Sequence, residues 1–278
     1  MNTGTLGEII DKEDVISMSD NTFNDRLIDW LNTQGYPLEM NVAEVLQKMK
    51  YNVLQSEYFI DEESGNHREI DIVASLHKEI GNIFIRINFI VECKVSKEKP
   101  WVIFTSKNTR LAPPARIAQR AGSRAGKIIL RNIAHVDEIQ QLNLFSLPER
   151  PGYGLTQAFT SGNDVAYNPC VSVSKATRSI AKEYDAQRNE RYVNISFPVI
   201  VIDGKLFETY LNVNNEMCVS EVNKGILLWR NPIVGMPHTV ITVLTKDILE
   251  DYFSSVRADV MKIFDYIADN PTITSSNP

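Results

Sequence analysis

Two short runs constrain this chain more than any other feature: Arg68-Glu69-Ile70-Asp71-Ile72-Val73-Ala74 and Phe89-Ile90-Val91-Glu92-Cys93-Lys94-Val95. Each is apolar and rich in β-branched residues, with acidic residues set into it, so each reads as a strand. Gly81-Asn82 supplies a turn signal between them. The expected geometry is an antiparallel hairpin that brings Asp71 beside Glu92. Side chains two apart share one face of a strand, so Glu92 and Lys94 point one way and Cys93 the other. A charge among apolar neighbours is costly unless it is paired or binds a metal. Two adjacent carboxylates repel, a divalent cation relieves that, and hard oxygen ligands suit Mg²⁺.

The pattern of Asp71 followed by Glu92-Cys93-Lys94 on the next strand resembles the PD-(D/E)xK nuclease superfamily. The resemblance implies an α/β, restriction-endonuclease-like fold: an αβββαβ core with a mixed central sheet flanked by helices. It also implies a metal-dependent endonuclease hydrolysing the phosphodiester bonds of DNA, with Mg²⁺ as cofactor and Mn²⁺ as a substitute. Asp71 and Glu92 would hold the ion, and the Cys93 carbonyl would be a further ligand. Lys94 would orient the attacking water and stabilise developing charge, either as a plain cation or as a base. Ile70 stands where the motif has its proline. Standalone chains of the superfamily serve in restriction, phage defence or repair, and the resemblance does not choose among these. The alternative is a catalytically inactive, DNA-binding or scaffold subunit of a larger assembly. Asp203-Gly204-Lys205 repeats the carboxylate-x-lysine pattern but reads as a hairpin turn between apolar runs at 198–202 and 206–210.

A helix precedes these strands. Pro37 suits its first position, and Leu38, Val42, Val45, Leu46 and Met49 make one apolar stripe. Glu39 falls on the flank of that stripe and Glu44 on the solvent side. Many nucleases of the superfamily carry a metal-site glutamate on the helix before the first core strand, and Glu39 matches it.

Charge narrows the partners. The net charge of −6 argues against a nonspecific DNA coat. Its distribution is uneven: residues 1–29 hold seven acids and two bases, whereas residues 99–136 hold eight bases and no acid. Within the basic stretch Arg116, Arg120, Arg124, Lys127 and Arg131 recur at helical intervals, inside an arc of about 80° on one helix. Such a face either binds DNA phosphates or is simply solvated. Gly122 and Gly126 lower its helix propensity, which suggests a segment that orders on DNA.

The remaining chain divides as follows. Residues 1–35 read as an acidic N-terminal arm with a short helix at 21–32. Residues 36–268 read as the nuclease domain, with an irregular insertion at about 105–170, and 269–278 as a tail. Residues 51–60 read as the first strand and 172–188 as a helix with Val173, Ala176, Ile180 and Tyr184 inward. On that helix Lys175 and Lys182 are candidates for backbone contact with DNA. Residues 192–202 read as the strand after it, and 246–268 as a closing helix that either packs or dimerises. His67 either touches DNA or is structural or solvated, and Glu69, two residues from Asp71, either supports the site or pairs with Arg68 or Lys94. No apolar run reaches the length of a membrane span, the N-terminus does not read as a signal peptide, and Cys93, Cys170 and Cys218 show no metal-like spacing. The expected setting is cytoplasmic, with no membrane partner and with DNA, a second copy or a defence-system protein as the candidates.

Overall fold

The computed structural model describes residues 12–107, 111–160, 165–183, 185, 191–230 and 238–274, with backbone alone for 12–21 and 274. The chain divides into residues 1–37 and residues 38–278. The first unit holds helix α1 (Lys12–Thr33), which starts earlier than the short helix expected at 21–32. Helix α2 (Tyr36–Lys48) leads into the second unit, with Leu38, Val42, Ala43 and Leu46 buried.

The second unit is α/β, with a mixed central sheet flanked by helices. Its first strands are β1 (Asn52–Ile60), β2 (His67–Ile80) and β3 (Ile83–Thr105), paired antiparallel in sequence order. The β2–β3 turn is Gly81-Asn82, and Gly81 adopts a φ of +62°, the left-handed conformation such short turns use. β3 is the long central strand. One of its edges runs parallel to β6 (Tyr192–Leu211) from Phe84 to Phe104. Its other edge carries β2 as far as Val91 and then β5 (Gly152–Gln157) from Trp101. From β5 the pairing passes through β8 (Lys224–Trp229) and β9 (Thr239–Thr245) back to β6. The strands β3, β5, β8, β9 and β6 therefore close on themselves. β7 (Met217–Val222) forms a hairpin with the end of β6.

Alternation along β2 and β3 divides the core in two. Ile72, Phe89, Val91 and Cys93 join one buried cluster with Leu46 of α2 and Phe253 and Ile263 of α7 (Leu249–Asp269). Val73 and Ile90 join the other, with Val173 and Ala176 of α6 (Tyr167–Ala181). The period of two puts neighbouring residues on opposite faces, and each face finds its own helices. Among the described residues no helix is long and apolar enough to cross a membrane.

Four expectations are corrected. Asp203-Gly204 is no turn: β6 runs through it, and the two residues pair with Val95 and Ser96. A Cβ on Gly204 would stand 2.3 Å from the Ser96 carbonyl oxygen, so the glycine permits the close approach of two strands. The basic stretch is not one helix. It divides into α3 (Pro113–Ala118), a two-residue strand β4 (Ala121–Gly122) and α4 (Arg124–Ile133). β4 pairs with β6, and Ser123 caps α4 by accepting from the Gly126 N–H. A Cβ on Gly126 would stand 2.4 Å from the Asn194 carbonyl oxygen, so this glycine is needed for packing and does not mark a segment awaiting DNA. The stretch at 137–170 is only partly irregular, because it supplies a short helix α5 (Asp137–Gln140) and β5, a full member of the sheet. The helix expected at 172–188 spans Tyr167–Ala181, and Tyr184 lies outside the described residues.

Candidate active site

The site begins where the β2–β3 ladder ends. The last paired residues towards that end are Ile72 and Val91, so one further step sets Asp71 opposite Glu92. On the other side of β2 the pairing with β1 is interrupted at the same level. Gln55 faces Ile72 and Glu57 faces Ile70, while Ser56 between them adopts a φ of +52°. The kink frees Asp71 from regular alternation: Ile70 packs with the α6 cluster although Ile72 packs with the α2 cluster. In place of a backbone carbonyl, the Asp71 side chain continues the ladder, its Oδ2 accepting from the Cys93 N–H at 2.6 Å.

Glu92 is only 7 % exposed. Lys94 Nζ lies 2.8 Å from its Oε1, and the Ser172 hydroxyl on α6 donates to its Oε2 at 3.0 Å. Lys94 and Glu92 thus share one strand face, as the two-residue spacing requires. Cys93 points its thiol into the core at 3 % exposure, so this residue can offer only its backbone. N–H and C=O of one strand residue project to the same edge. The Cys93 carbonyl therefore faces the edge on which Asp71 sits.

Glu39 completes the acidic set from α2. It is half-buried, and Asp71, Lys94, Glu69 and Glu92 all act on its carboxyl. Burial is the largest influence and raises it above the ordinary range, with Asp71 adding to that. Asp71 and Glu92 are raised as well, by burial first, with the Lys94 charge opposing. For Lys94 burial works against the charge. The Glu92 and Asp71 carboxylates prevail, and the ammonium is held above the usual lysine range. As it stands, the amine is suited to act as a fixed cation rather than as a base. Three carboxyl groups raised by burial around one lysine make this cluster a candidate functional site.

Among the described residues no three His, Cys, Asp or Glu side chains gather as a ready-made metal shell. The donor set nevertheless fits Mg²⁺, which takes one or two carboxylates and keeps several waters. Asp71 and Glu92 would hold it, with the Cys93 carbonyl beside them and Glu39 within electrostatic reach.

The basic residues separate. Arg120 is 6 % exposed, donates to the Leu144 and Val240 carbonyl oxygens at 3.1 and 3.2 Å, and lies over the Phe145 and Phe197 rings. It is a core residue, and its expected DNA contact is withdrawn. Arg116 is half-buried on α3. Arg124, Lys127 and Arg131 share one face of α4, with both arginines exposed. Lys175 and Lys182 are also reassigned. Lys175 Nζ binds both Asp61 oxygens at 2.9 and 3.0 Å and Glu63 at 2.8 Å, and Lys182 binds Glu62 at 2.7 Å. These pairs fix α6, and with it Ser172, against the β1–β2 turn. Glu69 and His67 are exposed. Arg68, a possible partner for Glu69, pairs with Asp61 at 2.8 Å instead.

Sequence reasoning missed Ser172 and the Asp61 network. The acids at 61–63 and the bases on α6 were visible, but their pairing spans more than a hundred residues. No family model matches the chain, and no curated protein and no solved structure is significantly similar to it.

Proposed function

We propose that the chain is a metal-dependent endonuclease of the PD-(D/E)xK type, acting on DNA. The single observation that carries this reading is the convergence of Asp71, Glu92 and Lys94 at the end of the β2–β3 ladder. There Cys93 N–H lies 2.6 Å from Asp71 and Lys94 Nζ 2.8 Å from Glu92. The order α2, β1, β2, β3, α6, β6 supports it, with α3 to β5 inserted before α6, while β5, β8 and β9 close a ring with β3 and β6. The parallel pairing of β3 with β6 makes the sheet mixed, which supports the reading at that level.

When bound, the divalent ion would polarise the phosphate and lower the pKa of its water. The protein's own groups do the rest. The Cys93 N–H holds the Asp71 carboxylate in one orientation, and the Ser172 hydroxyl does the same for Glu92. The Lys94 ammonium supplies positive charge where the phosphate gains negative charge, and it stays protonated at neutral pH. The exposed Arg124 and Arg131 of α4 offer phosphate contacts away from the reacting bond. Restriction or phage defence is the setting we infer for such a standalone enzyme.

The test is cleavage of plasmid, linear duplex and single-stranded DNA, with RNA as a further substrate, in Mg²⁺ or Mn²⁺. Wild type is expected to cut DNA, and Asp71→Asn, Glu92→Gln and Lys94→Ala each to lose at least about a hundredfold in rate. Cleavage at the wild-type rate in all three variants, or none by the wild type, would overturn the reading.

A further inference from the structure

A second cleft lies further along the same central strand. It encloses about 1050 Å³ and begins at Thr105, eleven residues beyond Lys94. At about 3.3 Å per strand residue it stands on the order of 30 Å from the acid pair. None of Asp71, Glu92, Lys94 or Glu39 lines it.

Its lining is selective. Lys107, Arg150, Arg230 and His238 face it with Tyr153 and Tyr210, and no Asp or Glu is among its described lining residues. That is unusual in a chain of net charge −6. Glu149 borders the cleft, pairing with Lys107 at 2.5 Å and lying within electrostatic reach of Arg150. The Arg150 guanidinium lies over Tyr210, its Cζ 3.8 Å from the ring centroid, bringing two planar groups together as a cationic platform. Arg230 Nε donates to His238 Nε2 at 3.4 Å, which leaves the neutral ring its proton on Nδ1. That Nδ1 is buried and has no partner among the described residues.

We infer that this cleft binds a nucleotide, its base stacked against the Arg150–Tyr210 platform and its phosphates facing Arg230, Lys107 and His238. The volume matches a ligand of one to a few nucleotides. Planar guanidinium and phenol groups stack bases of any identity, and the charged groups among the described lining residues are all basic, which favours an anion. The nucleotide is either free or the end of a strand. The inference stands apart from the nuclease reading.

Calorimetric titrations in EDTA test it, with ATP and 5′-phosphorylated tetrathymidylate as probes and inorganic phosphate as the ring-less control. Saturable one-site binding of ATP or the tetranucleotide is expected, weakened about tenfold by Arg150→Ala and by Tyr210→Ala. Asp71→Asn is expected to leave it unchanged, and Tyr210→Phe to keep it. Tighter binding of ATP identifies a free nucleotide, and tighter binding of the tetranucleotide a strand end. Arg150→Lys, which keeps the charge and removes the plane, serves if an alanine variant fails to fold, with the same weakening expected. The inference is overturned by no saturable binding of either probe, by equal binding of inorganic phosphate, by unchanged binding in the Arg150 and Tyr210 variants, or by loss in Asp71→Asn.

Discussion

The Asp71 carboxylate accepts the Cys93 backbone N–H at 2.6 Å, taking the place of the carbonyl that a longer β2–β3 ladder would have supplied. One carboxylate therefore holds two strands together at the point where their regular pairing stops. In the proposed enzyme a structural duty and a chemical one would fall on the same side chain.

That double duty separates two substitutions. Asp71→Asn keeps an acceptor for the Cys93 N–H and should fold with near-normal stability while losing the charge a metal requires. Asp71→Ala leaves the N–H unpaired and should cost about 1–2 kcal/mol. Urea denaturation beside a cleavage assay resolves the two effects. Equal stability of the Asn and Ala variants would show that the bond is dispensable to the fold.

Ser172 reaches Glu92 from α6 and should act by positioning it. Ser172→Ala is expected to lower cleavage about 10- to 100-fold and to raise the Mg²⁺ concentration needed for half-maximal rate. Ser172→Thr, which keeps the hydroxyl, should recover part of that loss. An Ala variant with reduced rate but an unshifted Mg²⁺ requirement would contradict a positioning role.

The arginines once grouped on one face should part company by experiment. Arg124→Ala and Arg131→Ala are expected to leave stability unchanged and each to flatten the salt dependence of DNA affinity by about one unit of slope. Arg120→Ala removes a buried cation whose pKa burial lowers to about 10, and takes the guanidinium donor from the Leu144 and Val240 carbonyl oxygens. It should cost about 3 kcal/mol. Thermal denaturation and fluorescence anisotropy across a salt series check both halves.

Acid should loosen the clamp on α6. The Lys175 hydrogen bond holds Asp61 well below its ordinary 3.8, at about 2, against the opposing effect of burial. A carboxylate lowered in the folded state stabilises it fully above the unfolded pKa and progressively less as pH falls through the folded one. The stability gap between wild type and Lys175→Met should therefore be widest near neutrality and shrink between about pH 4 and pH 2. Urea midpoints compared across that range measure it, and a gap independent of pH would show that the pair does not contribute as described.

Local pattern determined a good part of this protein. The strands at 68–74 and 89–95, the Gly81-Asn82 turn and the stripe of α2 are short-range consequences of local pattern, and all are found in the structure, although the kink at Ser56 breaks the alternation at Asp71. The strand period sets Glu92 and Lys94 on one strand face and Cys93 in the core. Tertiary structure decided the rest. Arg120 is spaced like a solvent-facing helix residue, yet the break at β4 turns it inward, because strand pairing with β6 outweighed helical continuity. Asp203-Gly204 carries a turn signal, yet β3 pairs with both residues, and the bare glycine serves close approach instead. Ser172 on Glu92, Lys175 on Asp61 and the cleft behind Arg150 join segments far apart in the chain. Periodicity reports which face a residue takes within its own element, whereas the element that covers that face is chosen only when the whole core packs.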